Sequence, residues 1–121
     1  ILSQWLQQVN NGEVIRCADD QFFSPVHVDD VIKLSEAIVR QNLNGLFNTC
    51  GPNRTGRLEM LETLLKYLDT PANVIPCSIK DFGFLDDRPR DLSMEPQKAI
   101  QKSGWNPRTI ESCCKEMAGC S

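Results

Sequence analysis

The residues with the clearest chemical potential lie in one stretch, D-D-Q-F-F-S-P-V-H-V-D-D-V, between positions 19 and 31. Asp20 and Gln21 precede two phenylalanines and Pro25. In such a loop a rigid carboxylate and amide can bond a ligand hydroxyl or a base edge, and a role in the turn itself is the open alternative. From its position alone, His27 is interpreted as a hydrogen-bonded histidine on an extended segment. A general base and a ligand are the less favoured alternatives.

A second motif, R-P-R-D, occupies positions 88–91. Arg88 offers a planar fork that suits phosphate or carboxylate, and Pro89 stiffens the backbone that carries it. The alternative is a solvated charge run in which Arg88 and Arg90 pair with the aspartates at 86, 87 and 91. Spacing alone favours the charge run.

Several other kinds of site are absent from the sequence. It contains no G-x-G-x-x-G or Walker A pattern, and Pro71 follows the sole tyrosine, Tyr67, where a Y-x-x-x-K dyad needs lysine. The single histidine and the lack of a C-x-x-C pair argue against zinc, so no metal ligand is predicted. The six cysteines are interpreted as free, buried thiols, with a disulfide framework as the alternative.

Length and composition are those of one globular domain. The chain has 121 residues, 40% hydrophobic and 24% charged, and a net charge of −3. No apolar run approaches the roughly 20 residues that a membrane span needs, which predicts a soluble protein without a membrane partner. The scattered basic residues argue against nucleic acid as a partner.

The elements that must position the motifs follow an α/β pattern of short strands alternating with four to five helices. Helices are predicted over 1–10, 30–41, 56–68, 93–102 and from 106 onward, with Asp29 or Asp30, Thr55, Ser93 and Asn106 as caps. Strands are predicted over 13–17, 46–50 and 73–77, the last at a sheet edge because of Pro76, and residues 26–28 are predicted to be a short extended piece after Pro25.

The beginning of the chain predicts a fragment. It starts Ile-Leu-Ser without an initiator methionine, and residues 1–6 resemble the interior of a helix rather than its capped start.

The order of the motifs resembles the carboxyl-terminal part of extended short-chain dehydrogenase/reductases. D-D-Q-F-F-S-P-V-H-V-D-D-V is followed by N-G-L-F-N-T-C-G, a leucine-rich helix, R-P-R-D-L-S-M-x-P-x-K and G-W-N-P. The order is most similar to the dTDP-4-dehydrorhamnose reductase group, while His27 and Val28 are closer to V-H-V-x-D of the broader epimerase/dehydratase group. The resemblance implies that residues 1–121 form one substrate-binding domain or fragment, with the NAD(P)-binding Rossmann domain absent from the chain.

Site residues follow from the resemblance position by position. Asp20, Gln21 and Pro25 match the D-Q-x-x-x-P segment near the substrate pocket, and His27 belongs to the same segment. Arg88 matches the R-P arginine that approaches the diphosphate in related sugar-nucleotide enzymes. No catalytic or cofactor-binding residue is assigned to this chain.

The implied parent reduces a 4-keto-6-deoxy nucleotide sugar with NAD(P)H in the cytoplasm, and the chain alone is predicted to be inactive and to bind no cofactor. Its implied partners are the nucleotide sugar and the missing Rossmann domain, with self-association or a partner enzyme also possible. A non-catalytic regulator similar to the methionine adenosyltransferase beta subunit, an epimerase/dehydratase fragment and an independent ligand-binding domain are the alternatives.

Overall fold

The computed structural model describes residues 1–119. Along the chain these form α1 (Leu2–Asn10), β1 (Val14–Ala18), β2 (Phe22–Phe23), α2 (Val28–Arg40), β3 (Thr55–Gly56), α3 (Arg57–Leu68), β4 (Asn73–Cys77), a 3-10 helix (Ile79–Phe82), β5 (Asp91–Leu92), α4 (Gln97–Ser103) and α5 (Ile110–Gly119). The order confirms the expected α/β class with five α-helices.

The main core lies between the parallel strands β1 and β4 and the helices α1, α3 and α5. Ile15 and Cys17 point inward from β1, because alternate residues of a strand face opposite sides. They meet Met60, Leu61 and Leu64 from the leucine-rich face of α3, all fully buried. This packing holds the carboxyl ends of β1 and β4 side by side.

Three very short strands form a second sheet in the order β3-β2-β5. Phe22 and Phe23 pair antiparallel with Gly56 and Thr55 and parallel with Asp91 and Leu92. The sheet therefore brings the segments after β1, before α3 and after the R-P motif together in space.

A smaller core packs α2 against α4 and the segment after α4. Leu34, Ala99 and Trp105 are its buried members. The Trp105 indole Nε1 donates to the carbonyl of Asp30 at 2.8 Å, and the Asp30 side chain, 1% exposed, accepts from the backbone nitrogen of Arg108 at 2.9 Å. A polar cluster thus joins the start of α2 to the approach to α5.

Several predicted helix starts were wrong by a few residues. α2 begins at Val28 with His27 as its cap, so Asp29 and Asp30 lie in the first turn rather than at the cap. α4 begins at Gln97 rather than near Ser93, and α5 at Ile110 rather than after Asn106. In the last case Arg108 bonds to Asp30, so tertiary contacts take precedence over local capping signals.

The strand predicted over residues 46–50 was also wrong. The structure assigns this segment no strand, and Leu46 is 83% exposed whereas Cys50 is fully buried. A strand needs a neighbouring backbone to bond to, and local residue preference does not provide one. Instead the segment leads to Gly51, whose backbone nitrogen donates to the carbonyl of Ser24 at 3.1 Å.

Candidate functional site at the carboxyl edge of the parallel strands

The carboxyl ends of β1 and β4 lie next to each other. The backbone nitrogen of Asp19 donates to the carbonyl of Cys77 at 3.0 Å, immediately beyond the paired strands. In open α/β sheets, ligands bind in the crevice outside the carboxyl ends of parallel strands. The loops that start here, 19–21 after β1 and 78–90 after β4, contain three of the five predicted site residues.

Asp20 joins these two loops. Its carboxylate accepts from the Ser78 hydroxyl and from the backbone nitrogen of Ile79, both at 2.7 Å, and its Oδ2 lies 3.5 Å from the Nε of Arg90. The bond from Ile79, the bond from Ser78 and the charge of Arg90 lower the pKa of this carboxyl. Asp20 is therefore an anchor between loops, and its contact with a ligand stays a prediction.

Gln21 is held by α3. It is 8% exposed, its backbone carbonyl accepts from the nitrogen of Arg57 at 2.9 Å, and its Oε1 accepts from Arg57 Nη1 at 3.2 Å. The guanidinium of Arg57 in turn lies 5.8 Å from the ring centre of Trp5. Because the amide oxygen is engaged, the Nε2 donor is the group that Gln21 could offer to a ligand.

Arg88 lies at a cavity of ≈ 330 Å³ lined by Ile79, Lys80, Phe84, Asp86, Asp87 and Arg88. Its guanidinium lies 4.5 Å from the ring centre of Phe84, which stacks on Phe82 with ring centres 6.0 Å apart. A flat cation on an exposed aromatic ring can accept a planar ring or an anionic group.

The charge-run alternative for the R-P-R-D motif was wrong in its pairing. Asp91 bonds to Ser93 and to Arg54, whose Nη2 lies 3.0 Å from its carboxylate, and these contacts lower the pKa of Asp91 to about 2. Arg90 faces Asp20, and Arg88 faces Phe84. Among the described residues, neither arginine therefore forms an ion pair with Asp86, Asp87 or Asp91.

Pro25 and His27 lie away from these contacts, at the approach to α2. The carbonyl of Pro25 faces Gly51, where a Cβ atom would lie only 2.0 Å from that oxygen. The Nδ1 of His27 accepts from the backbone nitrogen of Asp29 at 3.2 Å and caps α2. Among residues 1–119, no hydrogen bond or ion pair joins Pro25 or His27 to Asp20, Gln21 or Arg88, and their binding of substrate stays a prediction.

Sequence reasoning missed Lys80 and Phe84 as members of the site and counted Arg90 only as part of a charge run. Lys80 and Phe84 line the same cavity as Arg88. Their signal in the sequence was their position shortly after a strand that ends at Cys77, the kind of loop from which ligand-binding residues come.

Two common signatures of cofactor and metal binding are missing from the described residues. The sequence lacks the glycine-rich turn that lets a backbone approach a pyrophosphate. Between Ile1 and Gly119 there is no group of three or more His, Cys, Asp or Glu side chains that could hold a metal ion.

The five described cysteines are free thiols, and the predicted burial is found for Cys17, Cys50 and Cys114. Burial raises the pKa of Cys17 and of Cys114 to about 11, which keeps both thiols protonated and inert. Cys77 and Cys113 are half-buried, and Cys120 lies outside the described residues.

Solved structures share this arrangement over almost the whole chain. dTDP-4-dehydrorhamnose reductase from Clostridium acetobutylicum superimposes with a TM-score of 0.87 at 13% identity, covering 99% of this chain and 43% of that one. The Bacillus anthracis enzyme, in complex with NADP, gives 0.82 at 18% identity and covers 99% and 42%. dTDP-glucose 4,6-dehydratase from B. anthracis, in complex with NAD, gives 0.79 at 15% identity and covers 98% and 37%.

The chain has the fold of the carboxyl-terminal part of dTDP-4-dehydrorhamnose reductases. It spans about two fifths of the length of these neighbours. No protein-family model matches the sequence, and no curated protein matches it. None of the described helices is long and apolar enough to cross a membrane.

Proposed function

We propose that this chain is the nucleotide-sugar-binding part of an NAD(P)H-dependent reductase of 4-keto-6-deoxy nucleotide sugars, such as dTDP-4-dehydrorhamnose. The observation that carries the proposal is the cavity at Arg88, in the segment that follows β4, whose wall carries two cations and two carboxylates beside an aromatic ring. The fold it shares with dTDP-4-dehydrorhamnose reductases supports the same substrate class.

Three side chains of the cavity, Lys80, Phe84 and Arg88, have separate tasks in this proposal. Arg88 and Lys80 donate hydrogen bonds to the diphosphate, since guanidinium and ammonium groups form charge-assisted bonds to phosphate oxygens. Phe84 contributes its exposed ring surface to the contact with a planar ring of the ligand. Gln21, which lies outside the lining of the cavity, donates from Nε2 to a carbonyl or hydroxyl oxygen of the ligand. Residues of the parent protein outside this chain would hold NAD(P)H, which would supply the hydride.

Replacement of Arg88 with alanine is expected to weaken the binding of dTDP about tenfold, because one charge-assisted contact to the diphosphate is lost. Isothermal titration of the chain with dTDP measures this directly. In the intact parent the same change should raise KM for the nucleotide sugar.

The matched control is Arg40→Ala, an exposed arginine at the end of α2 that does not line the cavity. Equal dissociation constants for the wild type and Arg88→Ala would remove Arg88 from the site. A wild-type chain that binds no dTDP at millimolar concentration would overturn the proposed function.

The chain alone is expected to give no oxidation of NADH in the presence of a 4-keto nucleotide sugar, because its sequence has neither the glycine fingerprint nor a Y-x-x-x-K dyad. The absorbance of NADH at increasing protein concentration is the measurement, with an intact dTDP-4-dehydrorhamnose reductase as the positive control. Turnover proportional to the concentration of the chain would contradict the assigned division of roles.

A further inference from the structure

We infer that Arg90 is a second phosphate-binding residue of this site and that Asp20 is the positioning residue that aims it. The inference rests on the proposed nucleotide-sugar binding and extends it to two side chains with distinct tasks. Arg88 is the arginine that the R-P motif singles out; Arg90 is assigned from its contacts alone.

The Asp20 carboxylate has a fixed orientation. Oδ1 accepts from the backbone nitrogen of Ile79 and Oδ2 from the Ser78 hydroxyl, and the side chain is 24% exposed. Two short bonds from consecutive residues leave a carboxylate little freedom to rotate. The contact from Oδ2 to Arg90 at 3.5 Å therefore starts from a fixed point at the end of β1.

Arg90 is held by its backbone, and its side chain forms an ion pair with Asp20. Its backbone carbonyl accepts from the nitrogen of Phe22 at 2.7 Å, and its Nε faces Asp20. The two terminal nitrogens of the guanidinium bond to no described residue, and the side chain is 60% exposed. With its Nε facing the Asp20 carboxylate at ion-pair distance, the guanidinium leaves its end with two parallel N–H donors unpaired, and that end matches two oxygens of a phosphate.

Ile79 connects this arrangement to the cavity of Arg88. It lines the cavity, and its backbone nitrogen bonds to Asp20. The cavity wall itself carries Lys80 and Arg88 against Asp86 and Asp87, two positive and two negative charges. Because these charges balance, an anion must be selected here by directional hydrogen bonds rather than by net charge, and the unpaired donors of Arg90 supply such bonds.

The test is a set of isothermal titrations of the whole chain with dTDP and with inorganic pyrophosphate. Arg90→Ala is expected to weaken the binding of both ligands about tenfold. Arg90→Lys is expected to weaken it nearly as much, because an ammonium group keeps the charge but loses the two-donor fork. The matched control, Arg40→Ala, leaves both dissociation constants unchanged.

The positioning role of Asp20 has its own readout in a double-mutant cycle. Asp20→Asn is expected to weaken the binding of dTDP several-fold in the wild-type background and to have no further effect on that binding in the Arg90→Ala background. Equal losses in the two backgrounds would show that Asp20 acts independently of Arg90 and would overturn its positioning role.

The outcomes separate this inference from the proposed function. If Arg88→Ala weakens the binding of dTDP and Arg90→Ala does not, the inference is wrong and the proposed function stands. If the wild-type chain binds neither probe, both are wrong. An Arg90→Lys variant with wild-type affinity would show that charge alone suffices and would overturn the two-donor contact.

Discussion

Replacement of Asp30 with asparagine is expected to lower the free energy of unfolding by about 3 kcal/mol, the lower end of the range for breaking a buried ion pair. The carboxylate is 1% exposed and bonds to the backbone nitrogen and the Nε of Arg108, at 2.9 and 3.2 Å. The loss stays at the lower end because Arg108 keeps contacts with Asp29 and Glu116. Urea denaturation followed by circular dichroism measures the change.

The control for this variant is Asp29→Asn, whose carboxylate is 58% exposed and 3.5 Å from the same guanidinium. Exposed ion pairs contribute roughly 0–1 kcal/mol, so this variant should unfold close to the wild type. If the two substitutions lowered the free energy of unfolding equally, burial of Asp30 would not explain how much its ion pair contributes to stability.

The same pair predicts how stability depends on pH. Burial opposes ionisation of Asp30, but the bonds from Arg108 outweigh it, so the pKa lies below its ordinary value of 3.8. A carboxyl with a depressed pKa contributes stability above the pKa of the unfolded chain, and this is lost as the pH falls through the folded pKa. The difference between wild type and Asp30→Asn should therefore be largest near neutral pH and shrink below about pH 4.

Replacement of Gly51 with alanine is expected to destabilise the fold by about 1–3 kcal/mol, the usual range for forced overpacking. A Cβ at this position would lie 2.0 Å from the carbonyl oxygen of Pro25, and backbone atoms cannot move aside as a flexible side chain can. The backbone nitrogen of Gly51 also bonds to the carbonyl of Ser24. The free energy of unfolding in urea is the measurement.

Gly119→Ala provides the comparison, because a Cβ there meets nothing within 4 Å. Its free energy of unfolding should stay within about 0.5 kcal/mol of the wild type, as is usual for surface substitutions. Unchanged stability of Gly51→Ala would mean that the segments of Pro25 and Gly51 separate without cost.

Much of the scaffold could be predicted from the sequence, because local patterns determine it. The leucines of α3 recur on one helix face, and Asn73–Cys77 is a short β-branched segment between turn residues. The true starts of α4 at Gln97 and of α5 at Ile110 could not be predicted in this way. There the chain satisfies distant partners, as Arg108 does with Asp30.

The site was predictable only in part, for a related physical reason. Arg88 was singled out because arginine before proline is a local signal. Arg90 is a candidate because its side chain contacts Asp20, which lies seventy positions earlier. Asp20 is in turn fixed by hydrogen bonds from Ser78 and Ile79. A single sequence carries no local sign of such pairings, since they exist only once β1 and β4 lie side by side.

The small sheet β3-β2-β5 also has a consequence for how the protein folds. Each strand has two residues, and the partners of Phe22, namely Gly56 and Asp91, come from distant parts of the chain. Closing such long loops costs entropy before so few backbone bonds can repay it. The sheet should therefore form late, after α3 has packed on β1 and β4. Gln21 and Arg90, which directly precede β2 and β5, should then be among the last residues to become ordered during folding.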